Sequence, residues 1–255
     1  MNAYTGFAQV YDELMDNVPY TAWFDFVRDI LCTYDIQDGL VLDLCCGTGT
    51  FTELLAAAGY DMIGVDGADD MLSVALEKRA QSGHDILYLQ QDMREFELYG
   101  TVRAIVSICD SMNYLTDPAD FAKVLGLVAN YLDYGGIFLF DLNTEYKYEE
   151  LLADHTFAEN RENCSFIWEN AFDEESRINS YALTLYVKTD ETPDEEACYS
   201  RFEEYHEQRA YSVAEVEKML SDAHLELVAV YDGFTKDAPH PESERLIFVT
   251  RRPKA

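Results

Sequence analysis

The chain lacks any run of about 20 apolar residues, the length a helix needs to cross a bilayer; segments such as Ile137–Phe140 fall far short. No transmembrane helix is expected. The start, Met1-Asn2-Ala3-Tyr4-Thr5-Gly6, has no basic residue followed by an apolar stretch, so no secretory signal is read and a cytoplasmic location is expected. Cationic residues are scarce, with 18 Lys and Arg against 49 Asp and Glu and a net charge of −31. Nucleic-acid affinity depends on neutralising phosphates, so neither duplex nucleic acid nor an anionic membrane is an expected partner. The six cysteines, Cys32, Cys45, Cys46, Cys109, Cys164 and Cys198, show no C-x-x-C pairing and are too few for a disulfide scaffold in 255 residues. They read as reduced thiols, with no metal site expected. Internal repeats and low-complexity tracts are also missing.

What is present suits a single buried-core domain over residues 1–255, since apolar residues make up 48% of the chain. Between about residues 38 and 154, short β-rich runs alternate with helical patterns, the signature of βαβ units and a parallel sheet. Strands are expected at Leu40–Leu44, Met62–Val65, Ile86–Gln90, Ile105–Cys109 and Ile137–Leu142. Helices are expected over Thr50–Ala58, from an Asp69 cap to about Ser82, and after Asp117-Pro118, ending before Gly135-Gly136. Residues 1–36 carry an apolar stripe at helical spacing and read as a two-helix cover joined near Val18-Pro19, ahead of a core at 37–156. Residues 157–211 read as an antiparallel β insertion, with strands around Cys164–Phe172, Tyr181–Val187 and Tyr199–Tyr211 and an acidic Asp190–Glu196 connection. Ser212-Val213-Ala214-Glu215 has the form of a capping box opening the last segment, 212–255, which closes with two strands.

The strongest local signal is Val41-Leu42-Asp43-Leu44-Cys45-Cys46-Gly47-Thr48-Gly49-Thr50, a strand running into a glycine turn and a helix. Gly47 and Gly49 lack a Cβ that would hold a ligand away, and the following helix offers unpaired N–H groups. The third glycine of the dinucleotide fingerprint is missing, because Thr52 stands there. Asp66 ends the second strand 23 residues after Asp43, near the offset at which an acid reaches ribose hydroxyls. Asp92-Met93 ends the third, where a carboxylate can accept from an adenine amino group and a thioether can cover the ring. From Arg28 to Lys78 no basic residue intervenes while ten carboxylates do. A diphosphate is poorly served there, and a cationic ligand well served, by Asp43 above all.

Together these segments resemble the class I S-adenosylmethionine-dependent methyltransferases, and the likeness covers most of the chain. Asp43 to Gly49, Gly64-Val65-Asp66 with Met71, Asp92-Met93 and Gly135-Gly136-Ile137 occur in family order. The resemblance implies an α/β, Rossmann-like seven-stranded sheet of order 3-2-1-4-5-7-6 with strand 7 antiparallel, carrying the β insertion. It implies S-adenosylmethionine as cofactor, with Gly47 and Gly49 at its methionine part, Asp66 at the ribose, Asp92 and Met93 at the adenine, and backbone near Cys109 at its ammonium. Cys45, Gly67 and Met71 fall among the cofactor-facing positions, although Gly67-Ala68 departs from the serine common there and Cys45-Cys46 reads as packing. The segment Phe7–Met15, with Val18-Pro19-Tyr20 and Trp23, is similar to a bacterial group of unassigned substrate, in which a tyrosine like Tyr11 closes over the cofactor.

The implied reaction is methyl transfer to nitrogen or oxygen of a small-molecule acceptor, by a monomer or a homodimer. Asp110, Asn113 and Tyr114 follow the fourth strand and stand as acceptor-binding candidates, with strand-end capping as the alternative for Asp110 and Asn113. Phe166, Trp168, Tyr181, Tyr199 and Tyr205 are available to line a lid over the acceptor pocket, or to form the insertion's own core. If the acceptor must lose a proton, His206 and Tyr11 are the candidate catalytic bases. A cofactor-binding protein without turnover and a transferase using a modified S-adenosylmethionine remain as rivals. An NAD-dependent dehydrogenase is disfavoured by the acidic pocket and the missing glycine.

Overall fold

The computed structural model describes residues 7–189 and 197–254; the Asp190–Glu196 connection and Met1–Gly6 lie outside the described residues. Two helices, α1 (Ala8–Leu14) and α2 (Tyr20–Thr33), precede a run of β1 (Gly39–Leu44), α3 (Thr50–Ala57), β2 (Tyr60–Asp66), α4 (Asp69–Ser82), β3 (Ile86–Gln90), β4 (Val102–Ser107), α5 (Pro118–Tyr131) and β5 (Leu132–Asn143). Four strands follow, β6 (Thr156–Asn160), β7 (Cys164–Asp173), β8 (Ile178–Lys188) and β9 (Tyr199–Arg209), and then α6 (Val213–Asp222), β10 (Glu226–Asp232) and β11 (Arg245–Arg251). The main sheet runs β3-β2-β1-β4-β5-β11-β10, with β11 antiparallel to both neighbours; this is the expected seven-stranded order. The second sheet, β6-β7-β8-β9, is antiparallel throughout.

Central strands read as near-continuous apolar runs because both of their faces are covered. Leu42, Leu44, Ile105, Phe138, Phe140 and Phe248 pack on one side with Phe121 and Val128 of α5 and Leu220 of α6. Their alternates Val41, Ala104, Val106, Leu139 and Ile247 pack on the other with Val27 and Leu31 of α2 and Leu55 of α3. Period-two alternation thus sorts one strand into two cores. The Ser212 capping box forms, with the Glu215 N–H donating to Ser212 Oγ at 3.3 Å and the Ser212 N–H donating to the Glu215 carboxylate at 2.8 Å. Asp117 caps α5 by accepting from the Ala119 N–H at 2.8 Å, with Pro118 in the first turn. No helix among the described residues is long and apolar enough to cross a membrane.

Three expected boundaries move, each for a local reason. β4 ends at Ser107 rather than Cys109, because Cys109 and Asp110 both take left-handed backbone, with φ of 62° and 52°. α5 ends at Tyr131, ahead of Gly135-Gly136 as expected, but β5 opens at Leu132 rather than Ile137, so both glycines lie inside it, where the pairing with β4 slips between Val102 and Ala104. A Cβ on Gly136 would stand 2.8 Å from the Arg103 carbonyl, so the bulge requires glycine. Asp69 is the first residue of α4 and not its cap; the Ala68 N–H is instead bound by the Asp66 carboxylate at 2.8 Å. β6 went unread, since all five of its residues are exposed and show no alternation.

Candidate active site

A cavity of about 880 Å³ opens at the carboxyl ends of β1, β2, β3 and β4, between the main sheet, the α1–α2 cover and the second sheet. At its base the chain leaves β1 through Cys45, whose φ is 65°, and the Cys45 and Cys46 N–H groups both donate to the Val65 carbonyl, at 2.7 and 3.0 Å. Gly47, at φ 54°, faces open space and lines the cavity, and its N–H donates to Asp66 Oδ2 at 2.8 Å. Gly49 is placed differently from the expectation. It lies outside the cavity lining at the N-cap of α3, and a Cβ there would meet Tyr88 Oη at 2.4 Å and Ala75 at 3.0 Å. Its left-handed φ of 75° and this close approach by themselves call for glycine. Burial, then nearby carboxylates, push the Cys45 and Cys46 thiols well above the ordinary value, so both stay protonated.

Thr52, the residue in place of a third glycine, donates its hydroxyl to Asp43 Oδ2 at 2.6 Å. Asp43 is 1% exposed, and burial, partly offset by that hydrogen bond, pushes its pKa up to about 7 from 3.8. Asp66 is also raised by burial, moderated by the Ala68, Gly47 and Gly67 N–H groups. A sulfonium or ammonium near Asp43 favours the ionised form, so between pH 4 and 7 the free protein holds a proton that a cationic ligand expels. S-adenosylmethionine binding is therefore expected to release protons at pH 6.5 and to tighten as pH rises from 6 to 8. Calorimetry in two buffers of different ionisation enthalpy measures this; no release, or release undiminished in Asp43→Asn, would contradict it.

Asp92 is less available than the sequence indicated. Arg94 donates to it from Nε at 2.9 Å and from its backbone N–H at 2.8 Å, and holds its pKa below the usual range. Met71, Gly67 and Met93 line the cavity beside it. A clasp that the sequence did not disclose holds the cover: Lys78 Nζ meets Asp12 at 2.5 Å, Thr50 Oγ1 at 2.5 Å and Thr48 Oγ1 at 3.1 Å. The first cation after the acidic stretch therefore ties α1 to the glycine turn. Tyr11 lines the cavity, but burial, then Cys109 and Tyr20, raise its pKa well above 10.0, which suits a hydrogen-bonding group and corrects its reading as a base.

Beyond Cys109 the site turns polar. The Asp110 N–H donates to both Asp141 oxygens at 3.1 Å, while Asp110 takes Arg245 Nη2 and Gln208 Nε2 on its own carboxylate, each at 2.7 Å. Burial works to raise the Asp110 pKa, but Arg245 and Lys147 outweigh it and leave it lowered. Asn113 is a correction: it is fully buried outside the cavity lining, where it accepts from the Asn143 N–H at 2.9 Å and donates to the Asn143 and Arg209 carbonyls at 3.2 and 2.8 Å. Those three bonds consume its amide in joining three segments. Tyr114, Phe166, Trp168 and Tyr181 do line the cavity, and the Trp168 indole N–H is buried with no hydrogen-bond partner among the described residues. Tyr199 and Tyr205 are exposed, 45% and 66%, on the far face of β9. The buried phase of that strand is instead Glu204, His206 and Gln208, so His206 stands behind the lining.

Comparison with known proteins places this geometry. A profile described as a methyltransferase domain matches residues 41–136. The provisionally named methyltransferase YqeM of Bacillus subtilis (strain 168) is 38% identical over 252 residues, 98% of each chain. The crystal structure of an S-adenosylmethionine-dependent methyltransferase from Clostridium acetobutylicum superposes with a TM-score of 0.87 at 30% identity, covering 99% of this chain and 100% of that one. The dTDP-3-amino-3,4,6-trideoxy-alpha-D-glucopyranose N,N-dimethyltransferase of Streptomyces venezuelae is 30% identical over 132 residues, 51% of this chain and 54% of its own. Strand order, the β1 glycine turn and full-length similarity agree: the chain belongs to the class I S-adenosylmethionine-dependent methyltransferases.

Proposed function

We propose that the enzyme transfers the methyl group to nitrogen or oxygen of a small-molecule acceptor bound between the strand ends and the second sheet. The observation that carries this reading is the continuity of the cavity, whose wall runs from Asp43 and Asp66 through Tyr11 to Trp168 and Tyr181. One end suits the cofactor: a buried carboxylate at Asp43 matches a cationic sulfur centre, and Gly47 leaves room for a close approach. Asp66 would hold the ribose, Met71, Asp92 and Met93 the adenine, and backbone near Cys109 the ammonium. The other end, with Asp110, Tyr114 and Trp168, would hold the acceptor. The dTDP-aminosugar N,N-dimethyltransferase likeness supports a small acceptor, as does the enclosure of the site by aromatic side chains.

When bound, S-adenosylmethionine supplies a methyl carbon already activated by the sulfonium. The protein's part is to align the acceptor behind that carbon and to exclude water, which can account for much of the acceleration. Tyr11 and Tyr20 close the cavity from the cover, and Phe166 and Trp168 close it from the second sheet. The test is calorimetry with S-adenosylmethionine, S-adenosylhomocysteine and NAD, followed by a screen of amines, phenols and acids for S-adenosylhomocysteine release. Binding of the first two without NAD, and release with an amine or phenol, is expected. Binding without release from any acceptor would favour a non-catalytic cofactor-binding protein, and NAD binding alone would overturn the reading.

A further inference from the structure

The buried face of β9 is chemically unusual. A strand with one covered face ordinarily places apolar residues there. Here Glu204, His206 and Gln208, exposed by 5%, 4% and 4%, occupy it while Tyr205 faces solvent. Gln208 is accounted for by its bonds to Asp110 and to the Tyr148 hydroxyl, at 2.7 and 3.1 Å. Glu204 and His206 meet each other, Oε2 to Nε2, at 3.1 Å, and Glu204 Oε1 has no hydrogen-bond partner among the described residues. His206 Nδ1 lies 3.2 Å from the Tyr114 hydroxyl, which lies 2.6 Å from the Tyr181 hydroxyl. The Tyr181 ring stacks on the imidazole at 4.6 Å and 15°, and Tyr114 meets it edge-on. Tyr114 and Tyr181 line the cavity, whereas His206 and Glu204 stand behind them.

We propose that Tyr181, Tyr114, His206 and Glu204 form a proton wire that takes the proton of an acceptor N–H or O–H out of the methyl-transfer site. This rests on the reading of the cavity as an acceptor site, and it narrows the acceptor to one that arrives carrying the proton it must lose. The Tyr181 oxygen accepts the acceptor's proton and passes its own to Tyr114, which passes its own to His206 Nδ1. The nucleophile's freed electron pair forms the new bond to the methyl carbon, and the pair of the broken carbon–sulfur bond stays on sulfur. His206 ends as an imidazolium against Glu204, so the charge leaving the cofactor is received by a buried carboxylate that otherwise has one N–H donor. Burial raises the Tyr181 hydroxyl well above its ordinary value, so the tyrosines relay the proton and the imidazole keeps it. Tyr181 touches the acceptor and is the catalytic residue; Tyr114, His206 and Glu204 act through it.

The wire requires a neutral His206 with its proton on Nε2, donated to Glu204, and a bare Nδ1 accepting from Tyr114. Long-range ¹⁵N–¹H correlation spectra of histidine-labelled enzyme, with His206→Asn assigning one of the five imidazoles, read this directly. The Nε2–H tautomer, with an Nδ1 resonance that moves in Tyr114→Phe, is expected; an Nδ1–H tautomer, or an Nδ1 indifferent to Tyr114, overturns the wire. With benzylamine and phenol as acceptor probes, any probe the wild type turns over should lose about 100-fold in kcat in His206→Asn and Tyr181→Phe, the scale of general-base catalysis, with KM for S-adenosylmethionine within about twofold. A kcat within threefold of wild type overturns the wire. Cofactor titration of the same samples keeps the readings apart, since an Nδ1–H tautomer in protein that binds S-adenosylmethionine defeats the wire alone, whereas protein that binds none defeats both.

Discussion

Replacing Arg245 with leucine is expected to lower the unfolding free energy by about 3–5 kcal/mol, the scale for removing one partner of a buried ion pair. Arg245 opens β11 beside the end of β5 and divides its fork between one fully buried acid and one that is partly buried. Nη1 pairs with Asp141, which is fully buried, and Nη2 with Asp110 at 2.7 Å. Trp23 covers the guanidinium at 5.3 Å from its ring centre, which dries the pair further. Loss of the cation leaves two carboxylates in contact through the Asp110 N–H, at the point where Cys109 and Asp110 are held in left-handed backbone. Urea unfolding should show a lower midpoint with an unchanged m-value. The pH dependence has a definite sign. Asp110, lowered in the wild type, contributes stability above the ordinary carboxylate range and loses it as pH falls, whereas the orphaned acids of the variant gain from protonation. The difference between the two proteins should therefore shrink from pH 8 toward pH 4; a loss under 1 kcal/mol at neutral pH would show that the acids find other partners.

Such a pair marks the limit of what local sequence reading reaches. Asp43, Gly47 and Asp66 were legible because a strand, a turn and the next strand lie within one βαβ unit, where spacing alone brings residues together. Capping by Asp117 and Ser212 was legible for the same reason. Asp110 and Arg245 stand 135 residues apart, and Lys78 reaches Asp12 across two helices and two strands, so no spacing rule connects them. Gly49 was only half legible, because glycine answers equally to a ligand and to a packed neighbour, and Tyr88, supplied by β3, is a neighbour that no local spacing announces. On β9 the eye follows aromatic residues inward, yet the register pairs Tyr181 with His206 and turns Tyr205 outward. Over Glu204-Tyr205-His206-Glu207-Gln208 burial alternates with a period of two, but polarity does not, so the residue types carry no sign of which phase is buried.

Asp66→Ala is expected to weaken S-adenosylmethionine binding by about 1–3 kcal/mol, roughly 5- to 150-fold, the range for losing hydrogen bonds to a buried charged group. Two roles could produce that number. Asp66 holds the glycine turn through the Gly47 and Ala68 N–H groups, and on the proposed placement it also accepts from the ribose hydroxyls. Adenosine separates them, because it contains the ribose and lacks the methionine part that the turn would face. An equal loss for adenosine, S-adenosylhomocysteine and S-adenosylmethionine fits the ribose contact, while adenosine affinity left intact would confine Asp66 to the turn. Asp43→Asn should behave in the opposite way, sparing adenosine and costing S-adenosylmethionine more than S-adenosylhomocysteine, since the two differ by the positive charge on sulfur that a buried carboxylate favours. The two variants, titrated with three ligands, thus assign one acid to the sugar and the other to the charge, and a common loss across all six titrations would contradict that division.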